Sequence, residues 1–306
     1  MAEINTKGRI AIVTGSSSGI GLETALTLAE NDFKTYATMR NLDKASNILE
    51  PAQIKNLPIK VLQLDVTDDM SVHQAIQRIV DNESRIDLLV NNAGYTQFGA
   101  AEDLSSEEIQ AQFNTNVFSV FRTIKEVVPI MRRQVEGGTI INIGSANGFF
   151  GVPCASAYVS TKFALEGLTQ SLRYELAPFG IKVTVIEPGA IRTNVITQSM
   201  YIPKKLQKEE EEEQEQQQGQ RRRQQRPNSS SSPFAEMTKN IMKKSKEVVA
   251  NGSPPRVVAD VVLKAAKAEK PAWRYQAGGD AKRLFEARRK MNDVEFEKFF
   301  YELFGL

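Results

Sequence analysis

From residue 8 onward, short β-branched apolar runs alternate with longer stretches in which apolar residues recur at helical intervals. The runs "RIAIVT", "KTYATM", "IKVLQL", "IDLLVNN", "GTIINIG" and "IKVTVIEP" read as strands, apolar enough to be covered on both faces. Between them, "LSSEEIQAQFNTNVFSVFRTIKEVV" sets Ser105 and Glu108 at capping-box spacing ahead of helically spaced apolar residues, which predicts one long helix. Six strands separated in this way over residues 8–190 predict an α/β fold, a doubly wound parallel sheet of the Rossmann type with helices on both faces. Ligands of such sheets bind beyond the carboxyl ends of the strands. The expected organisation is a nucleotide-binding and catalytic core at 1–195, followed at 196–306 by a substrate-lid region and C-terminal extension of the same domain.

The alternation breaks at "KKLQKEEEEEQEQQQGQRRRQQRPNSSSSP", residues 204–233, where acidic, glutamine, basic and serine blocks follow one another. This run has nothing to bury against its own ordering entropy, so it is expected to be disordered or transiently helical. Order resumes near Phe234. The chain closes on "FEKFFYELFGL", whose Phe296, Phe299, Phe300, Leu303 and Phe304 fall at helical spacing and predict packing on the same domain or on a second copy.

Composition narrows the chemistry. The 306 residues are 41% hydrophobic and 25% charged, ample for a full core. A formal net charge of +2 supplies no global field for nucleic acid or an anionic membrane. Cys154 and His73 are the single cysteine and histidine, which excludes a disulfide framework and leaves too few ligands for zinc. Redox chemistry here needs an organic cofactor. No stretch reaches the ~18 apolar residues of a membrane span and "MAEINTKGRIAIVTG" lacks an apolar signal region, so a cytoplasmic protein is expected.

The first strand runs into "TGSSSGIG", with Gly15, Gly19 and Gly21 at the point where a helix starts. Glycines there permit a tight turn and close backbone approach, and the helix N-terminus offers N–H groups to a phosphate, so a dinucleotide is the natural ligand. The same letters fit G-x-S-x-G with Ser17 central, the nucleophile elbow of a serine hydrolase. That chemistry needs a histidine late in the chain, and His73 is early. The other strands end at Asp65 in "LDVTD", at "NNAG", at Ser145 in "NIGSANG" and at "EPGAIRT". Singly, such residues are caps and turns; together they line one sheet edge.

In "SAYVSTKFALEG", Tyr158 and Lys162 lie four apart and share a helix face. A phenol with a pKa near ~10 is roughly 3 units too weak a base at neutral pH. One cation about 4 Å away, at an effective dielectric near 20, offsets a similar energy. An ordinary helix with a half-buried tyrosine and a solvated lysine carries the same letters.

The set "TGSSSGIG", "NNAG", Asn116 in "FNTN", Ser145 and "YVSTK" resembles the short-chain dehydrogenase/reductase family over roughly residues 8–195. The resemblance implies hydride transfer between a nicotinamide cofactor and an alcohol, ketone or aldehyde. It implies Tyr158 as acid/base, Lys162 lowering its pKa and holding the nicotinamide ribose, Ser145 positioning the carbonyl, and Asn116 supporting a water linked to the lysine. It implies cofactor contacts at Gly15, Ser17, Ser18, Gly19, Ile20 and Gly21, at Asn92, Ala93 and Gly94, and at Pro188, Gly189, Ile191 and Thr193. Asp65 and Val66 are expected to meet the adenine.

In "YATMRN", Thr38 occupies the position where an acidic residue would bind a ribose 2′-hydroxyl, and Arg40 follows. A guanidinium there favours NADP, with NAD possible; a merely solvated arginine is the alternative. Ser18 stands where some NADP-preferring relatives carry a basic residue. Phe149, Phe150 and Val152 near Ser145 predict an apolar substrate, with Phe149 and Phe150 as substrate contacts and a lid from about Asn194. The tail "PRVVADVVLKAAKAEKPAWRYQAGGDAKRL" resembles hydroxysteroid and retinol dehydrogenase-like members, "RY" opening a last strand. A homodimer or homotetramer is expected, without nucleic acid, metal or membrane span. The alternatives are a 3-oxoacyl-thioester reductase and a catalytically silent NADP-binding regulatory or scaffolding protein; retention of Tyr158 and Lys162 favours an enzyme.

Overall fold

Each of the six predicted runs forms a strand in the computed structural model, which describes residues 4–193, 200–207 and 232–304. Strands β1 (Ile10–Val13), β2 (Lys34–Met39), β3 (Ile59–Gln63), β4 (Leu88–Asn91), β6 (Gly138–Ile143) and β7 (Ile181–Pro188) are joined by β9 (Arg274–Ala277), and a separate short pair is made by β5 (Thr96–Gln97) and β8 (Met200–Tyr201). The large sheet has the order β3-β2-β1-β4-β6-β7-β9, every neighbouring pair parallel. Its strand order reverses between β1 and β4, so a ligand crevice opens there.

Successive side chains of the central strands enter opposite cores. Leu89 and Ile140 pack under helices α3 (Asp69–Glu83), α5 (Ser119–Arg133) and α6 (Ser156–Leu176), with Ile76, Val127 and Leu172. Val90 and Ile141 pack under α1 (Gly19–Ala29), α2 (Ser46–Ile54) and α8 (Pro255–Lys267), with Leu28, Ile48 and Val262. Two-sided burial explains why these runs are apolar throughout rather than alternating.

The single long helix expected after Ser105 is two helices. The capping box is present, Glu108 N–H donating to Ser105 Oγ at 3.2 Å and Ser105 N–H to Glu108 Oε2 at 2.9 Å. Yet α4 (Ser106–Phe113) passes into α5 through one π-helical turn, Asn114–Phe118. Such a turn inserts a residue into the helix. Here it coincides with Asn116, whose side chain bonds outside its own helix.

The C-terminal region completes the sheet, its strand opening at Arg274–Tyr275 as expected. Helices α7 (Ala235–Ala250), α9 (Gly279–Lys290) and α10 (Asp293–Phe304) surround the strand ends. The aromatic stripe packs on its own chain: Phe296 and Phe300 stand 5.8 and 5.4 Å from Phe150, centre to centre, and Phe299 5.9 Å from Phe296. Leu303 is exposed. The described flanks of the low-complexity run are ordered. Leu206 and Ser232 are buried and Lys204 N–H donates to Glu108 Oε1 at 2.8 Å, so both flanks belong to the packed structure. Its centre, 208–231, and the expected lid start at Asn194 lie outside the described residues.

Candidate active site

The glycine loop and the loop after β4 are packed backbone against backbone. Gly15 has φ +68°, and a Cβ placed there would stand 2.9 Å from Ala93 Cα; one on Gly21 would strike the Gly15 carbonyl and the Asn92 amide. Asn92 Nδ2 donates to the Thr14 and Gly15 carbonyls at 2.9 and 3.2 Å, while Thr14 Oγ1 accepts from the N–H groups of Asn92 and Ala93 at 2.9 and 3.1 Å. Thr14 is therefore the hinge pin of this edge, which a strand-terminal threonine does not announce in sequence. Ser18 begins α1 without a side-chain capping bond, leaving first-turn N–H groups for a ligand, and Gly19 follows at φ +59°. Ser17 presents its carbonyl to Asn47 Nδ2 at 3.0 Å. His73 lies exposed on α3, paired with Glu126 at 3.0 Å, away from any role beside Ser17.

At the end of β2, Thr38 is fully buried and donates to the Val13 carbonyl at 3.2 Å. Its hydroxyl is thus turned beneath the glycine loop and away from the position expected of it beside a ribose. Arg40 is exposed, and among the described residues no carboxylate pairs with its guanidinium. The Asp65 carboxylate caps its own turn, accepting from Thr67 N–H at 2.9 Å and Thr67 Oγ1 at 2.7 Å, and Val66 packs into the core.

Asn116 is buried and fully engaged. Its Nδ2 donates to the Tyr95 carbonyl at 3.0 Å and Thr161 Oγ1 at 3.1 Å, and its Oδ1 accepts from Tyr95 N–H at 3.1 Å. A Cβ on Gly94 would come within 3.2 Å of that Oδ1. The asparagine holds the β4–β5 loop to α6.

On α6, Lys162 is buried rather than solvated and Tyr158 is partly buried. Tyr158 packs with Phe98, Cys154, Ala155, Val159 and Ile241. Burial pushes its phenol up, and the hydroxyls of Ser145 and Thr96 beside it work in the opposite direction. Ser145 caps the short turn Ala146–Gly148, accepting from Asn147 N–H at 3.1 Å. Lys162 donates to the Ile143 carbonyl at 3.0 Å and stands 5.7 Å from the centre of the Tyr158 ring. Burial pulls its ammonium down to about 8, against the opposing charge of Glu166. A phenol, two hydroxyls and an ammonium thus meet at the carboxyl edge of the sheet. Thr96 belongs to this group and was not marked by any motif; only the fold of the loop after "NNAG" brings it in.

Residues 9–201 match the family described as short chain dehydrogenase. The chain belongs to that family. As a short-chain dehydrogenase it is an NAD(P)-dependent oxidoreductase. It is 34% identical to human (Homo sapiens) 17-beta-hydroxysteroid dehydrogenase type 1 over 272 residues, 87% of this chain and 76% of that protein. With human retinol dehydrogenase 8 it shares 40% identity over 189 residues, 60% of each chain. A crystal structure of a short-chain dehydrogenase from Streptomyces avermitilis superposes with a TM-score of 0.76 at 28% identity, covering 97% of both chains.

Two expectations about this dehydrogenase need correction or extension. Phe149 and Phe150 fall in a different apolar cluster from Tyr158: Phe150 packs among Phe296 and Phe300, and Phe149 meets Phe285 edge-on at 4.4 Å beneath the Arg274 guanidinium. The C-terminal helices supply enough apolar surface to claim both rings. Val152 instead touches both clusters. The loop Pro188–Thr193 is held from far along the chain: Ala190 N–H donates to Asp280 Oδ2 at 2.5 Å, Gly189 N–H to the Ala277 carbonyl at 3.0 Å, and Ile191 bridges to Ser253. Asp280 and Ser253 carry no local motif, so only the closure of the sheet by β9 reveals them.

Proposed function

We propose that this dehydrogenase prefers NADP and interconverts a lipophilic alcohol with its carbonyl compound, with Tyr158 as the proton-transfer group. The convergence of Tyr158, Ser145 and Lys162 on one buried point carries the reading. The crevice fits a dinucleotide: Gly15 and Gly21 leave no room for side chains, and α1 opens without a cap. When bound, the nicotinamide cofactor supplies or takes up the hydride. Gly15, Ser17, Ser18, Gly19, Ile20 and Gly21 would hold its phosphates, Asp65 and Val66 the adenine, Asn92, Ala93, Gly94 and Lys162 the nucleoside segments, and Pro188, Gly189, Ile191 and Thr193 the nicotinamide.

The residues of the chain manage the proton. In oxidation the substrate hydroxyl gives its proton to the Tyr158 oxygen, and in reduction the phenol returns it. Ser145, beside that oxygen, donates to the substrate oxygen and fixes it in line. A buried phenol resists ionisation, so the ammonium of Lys162 and the neighbouring hydroxyls must favour its charged form during turnover. Asn116 holds the loop bearing Thr96 in place through Tyr95.

Phe98, Val152, Cys154, Ile241 and Met242 surround Tyr158 with apolar surface, which supports a lipophilic substrate, in keeping with the steroid and retinol named for two relatives. Arg40, free of carboxylate partners among the described residues, supports NADP. The test is turnover of steroid, retinoid, acyl-thioester and simple carbonyl panels with each reduced cofactor, and of the matching alcohols with each oxidised one. Cofactor binding without turnover of any class would overturn the enzymatic reading in favour of a silent binder.

A further inference from the structure

Below the segment that carries Ser145 lies a buried charge cluster that the proton-transfer scheme does not use. Glu166 follows Lys162 by one helical turn on α6, Glu187 is the penultimate residue of β7, and Arg274 and Gln276 come from β9. Glu187 is fully buried and Glu166 nearly so. Arg274 Nη2 donates to Glu166 Oε2 at 3.3 Å, and its Nε stands 3.4 Å from Glu187 Oε1; Gln276 Nε2 donates to Glu187 Oε2 at 3.1 Å. The Oε1 atoms of both glutamates have no hydrogen-bond partner among the described residues. A Cβ on Gly144 or on Gly148 would meet Glu166 Oε1 at 3.5 Å, so the carboxyl lies directly against the Ser145 segment.

Two carboxylates side by side in this setting, each with an unpaired oxygen, repel one another and lose their hydration. A single proton between them removes both penalties: a protonated carboxyl on one gives the other the donor it lacks. Burial first and the neighbouring Glu166 second push Glu187 up, while Arg274 and Lys162 pull against the upward push of burial on Glu166. The hydrogen bonds divide the pair in the same direction: the guanidinium donates to Glu166, whereas among the described residues Glu187 accepts only from the neutral Gln276 amide, so Glu187 is the member that keeps the proton. The groups facing the pair are Lys162 from α6, and Arg274 and Gln276 from β9.

Resting on the assignment of Lys162 above, we propose that Glu166 and Glu187 share one proton and that the remaining charge, on Glu166, is a positioning element that keeps Lys162 an ammonium below Tyr158. Arg274 and Lys162 then contribute two positive charges against one negative. The cluster carries a surplus positive charge, which a phenolate at Tyr158 neutralises. The same guanidinium lies 4.5 Å over Phe149, so β9 also fixes the loop that follows Ser145.

The experiment compares pH profiles of kcat for the wild type, Glu166→Gln, Glu166→Asp and Glu187→Gln, together with infrared difference spectra of the protonated-carboxyl band. Removing the anion lets Lys162 lose its proton earlier, so Glu166→Gln should move the alkaline limb down by about one pH unit, roughly a tenfold loss of kcat on that limb with little change on the acid side. Glu166→Asp should restore the limb at least partway. Glu187→Gln, permanently neutral, should keep the limb where the wild type has it and erase the carboxyl band. A uniform loss across pH in Glu166→Gln without rescue by aspartate, or a carboxyl band that survives Glu187→Gln, would overturn the proposal. The infrared arm needs no turnover, so it reads the shared proton even if Tyr158→Phe shows that the proton-transfer assignment fails.

Discussion

Lys162 lies over the Tyr158 ring, with Nζ 5.7 Å from the ring centre and one of its N–H groups donated to the Ile143 carbonyl at 3.0 Å. Among the described residues its ammonium makes no hydrogen bond to the phenol and reaches it through its field. Replacing Tyr158 by phenylalanine deletes the proton-transfer oxygen and almost no packing. We expect kcat to fall roughly 10²–10⁴-fold while cofactor affinity, read by nicotinamide fluorescence, stays close to wild type. Lys162→Met should weaken both. Substantial turnover by the phenylalanine variant would remove the basis of the assignment.

Much of this arrangement was legible in the letters, because the strand runs, the glycine loop and the Tyr158/Lys162 spacing are local patterns. What escaped is non-local. The seam between α4 and α5 depends on Tyr95, whose backbone draws Asn116 out of helical register, and no helical periodicity encodes that pull. Thr96, Asp280 and Ser253 reach the site only through loop closure and the seventh strand. The packing of Phe149 and Phe150 against Phe285, Phe296 and Phe300 is equally non-local, since those rings come from the C-terminal helices.

Asn116 gives a prediction that separates support from chemistry. Its amide bonds both backbone groups of Tyr95 and the hydroxyl of Thr161. Asn116→Ala removes the acceptor of the Tyr95 N–H, at a cost of about 1–3 kcal/mol before relaxation or entry of water, while the Tyr95 carbonyl keeps Gln112 and the Thr161 hydroxyl keeps the Tyr158 carbonyl. Denaturant unfolding should show the loss at unchanged m-value, and kcat should fall with it. Unchanged stability would mean that water replaces the amide.

The proposed role of Arg40 in cofactor choice gives a direct test. Arg40→Asp removes a charge-assisted partner for a 2′-phosphate and adds a charge that repels it. The ratio of kcat/KM for NADP over NAD should fall by on the order of 10²-fold or more, equivalent to a few kcal/mol. A ratio that does not move would place the arginine outside the ribose site.

Glu187 sets a pH dependence of stability. Burial and Glu166 hold its carboxyl above the ordinary carboxylate range. Between the unfolded and the folded pKa the folded protein binds the extra proton, so stability falls as pH rises through that interval and then levels off. Glu187→Gln cannot ionise and should flatten this slope, leaving the variant more stable relative to wild type at neutral and alkaline pH than at pH 4.5. Melting temperatures measured across pH check it. A parallel offset at every pH would show that the carboxyl titrates alike in the folded and the unfolded protein.

The last prediction concerns the charged run after β8. Asp103, its carboxylate fully buried, accepts from Ser232 Oγ at 2.5 Å and pairs with Lys205 at 3.1 Å, so the two flanks of the run meet at one side chain. With its ends already joined, the intervening chain adds little closure entropy whatever its length. Replacing residues 208–231 by a short Gly/Ser linker should therefore leave the melting temperature and kcat nearly unchanged, provided Ser232 is kept. Asp103→Ala should do the opposite. It removes the acceptor of the buried Ser232 hydroxyl, which among the described residues keeps only the Phe234 N–H, at about 1–3 kcal/mol, and loosens β8, which pairs with the β5 strand carrying Thr96 beside Tyr158. A rise in KM with a melting temperature lower by a few degrees is expected. If the linker variant, and not Asp103→Ala, raises KM, then the run itself contacts the substrate and the clamp is incidental.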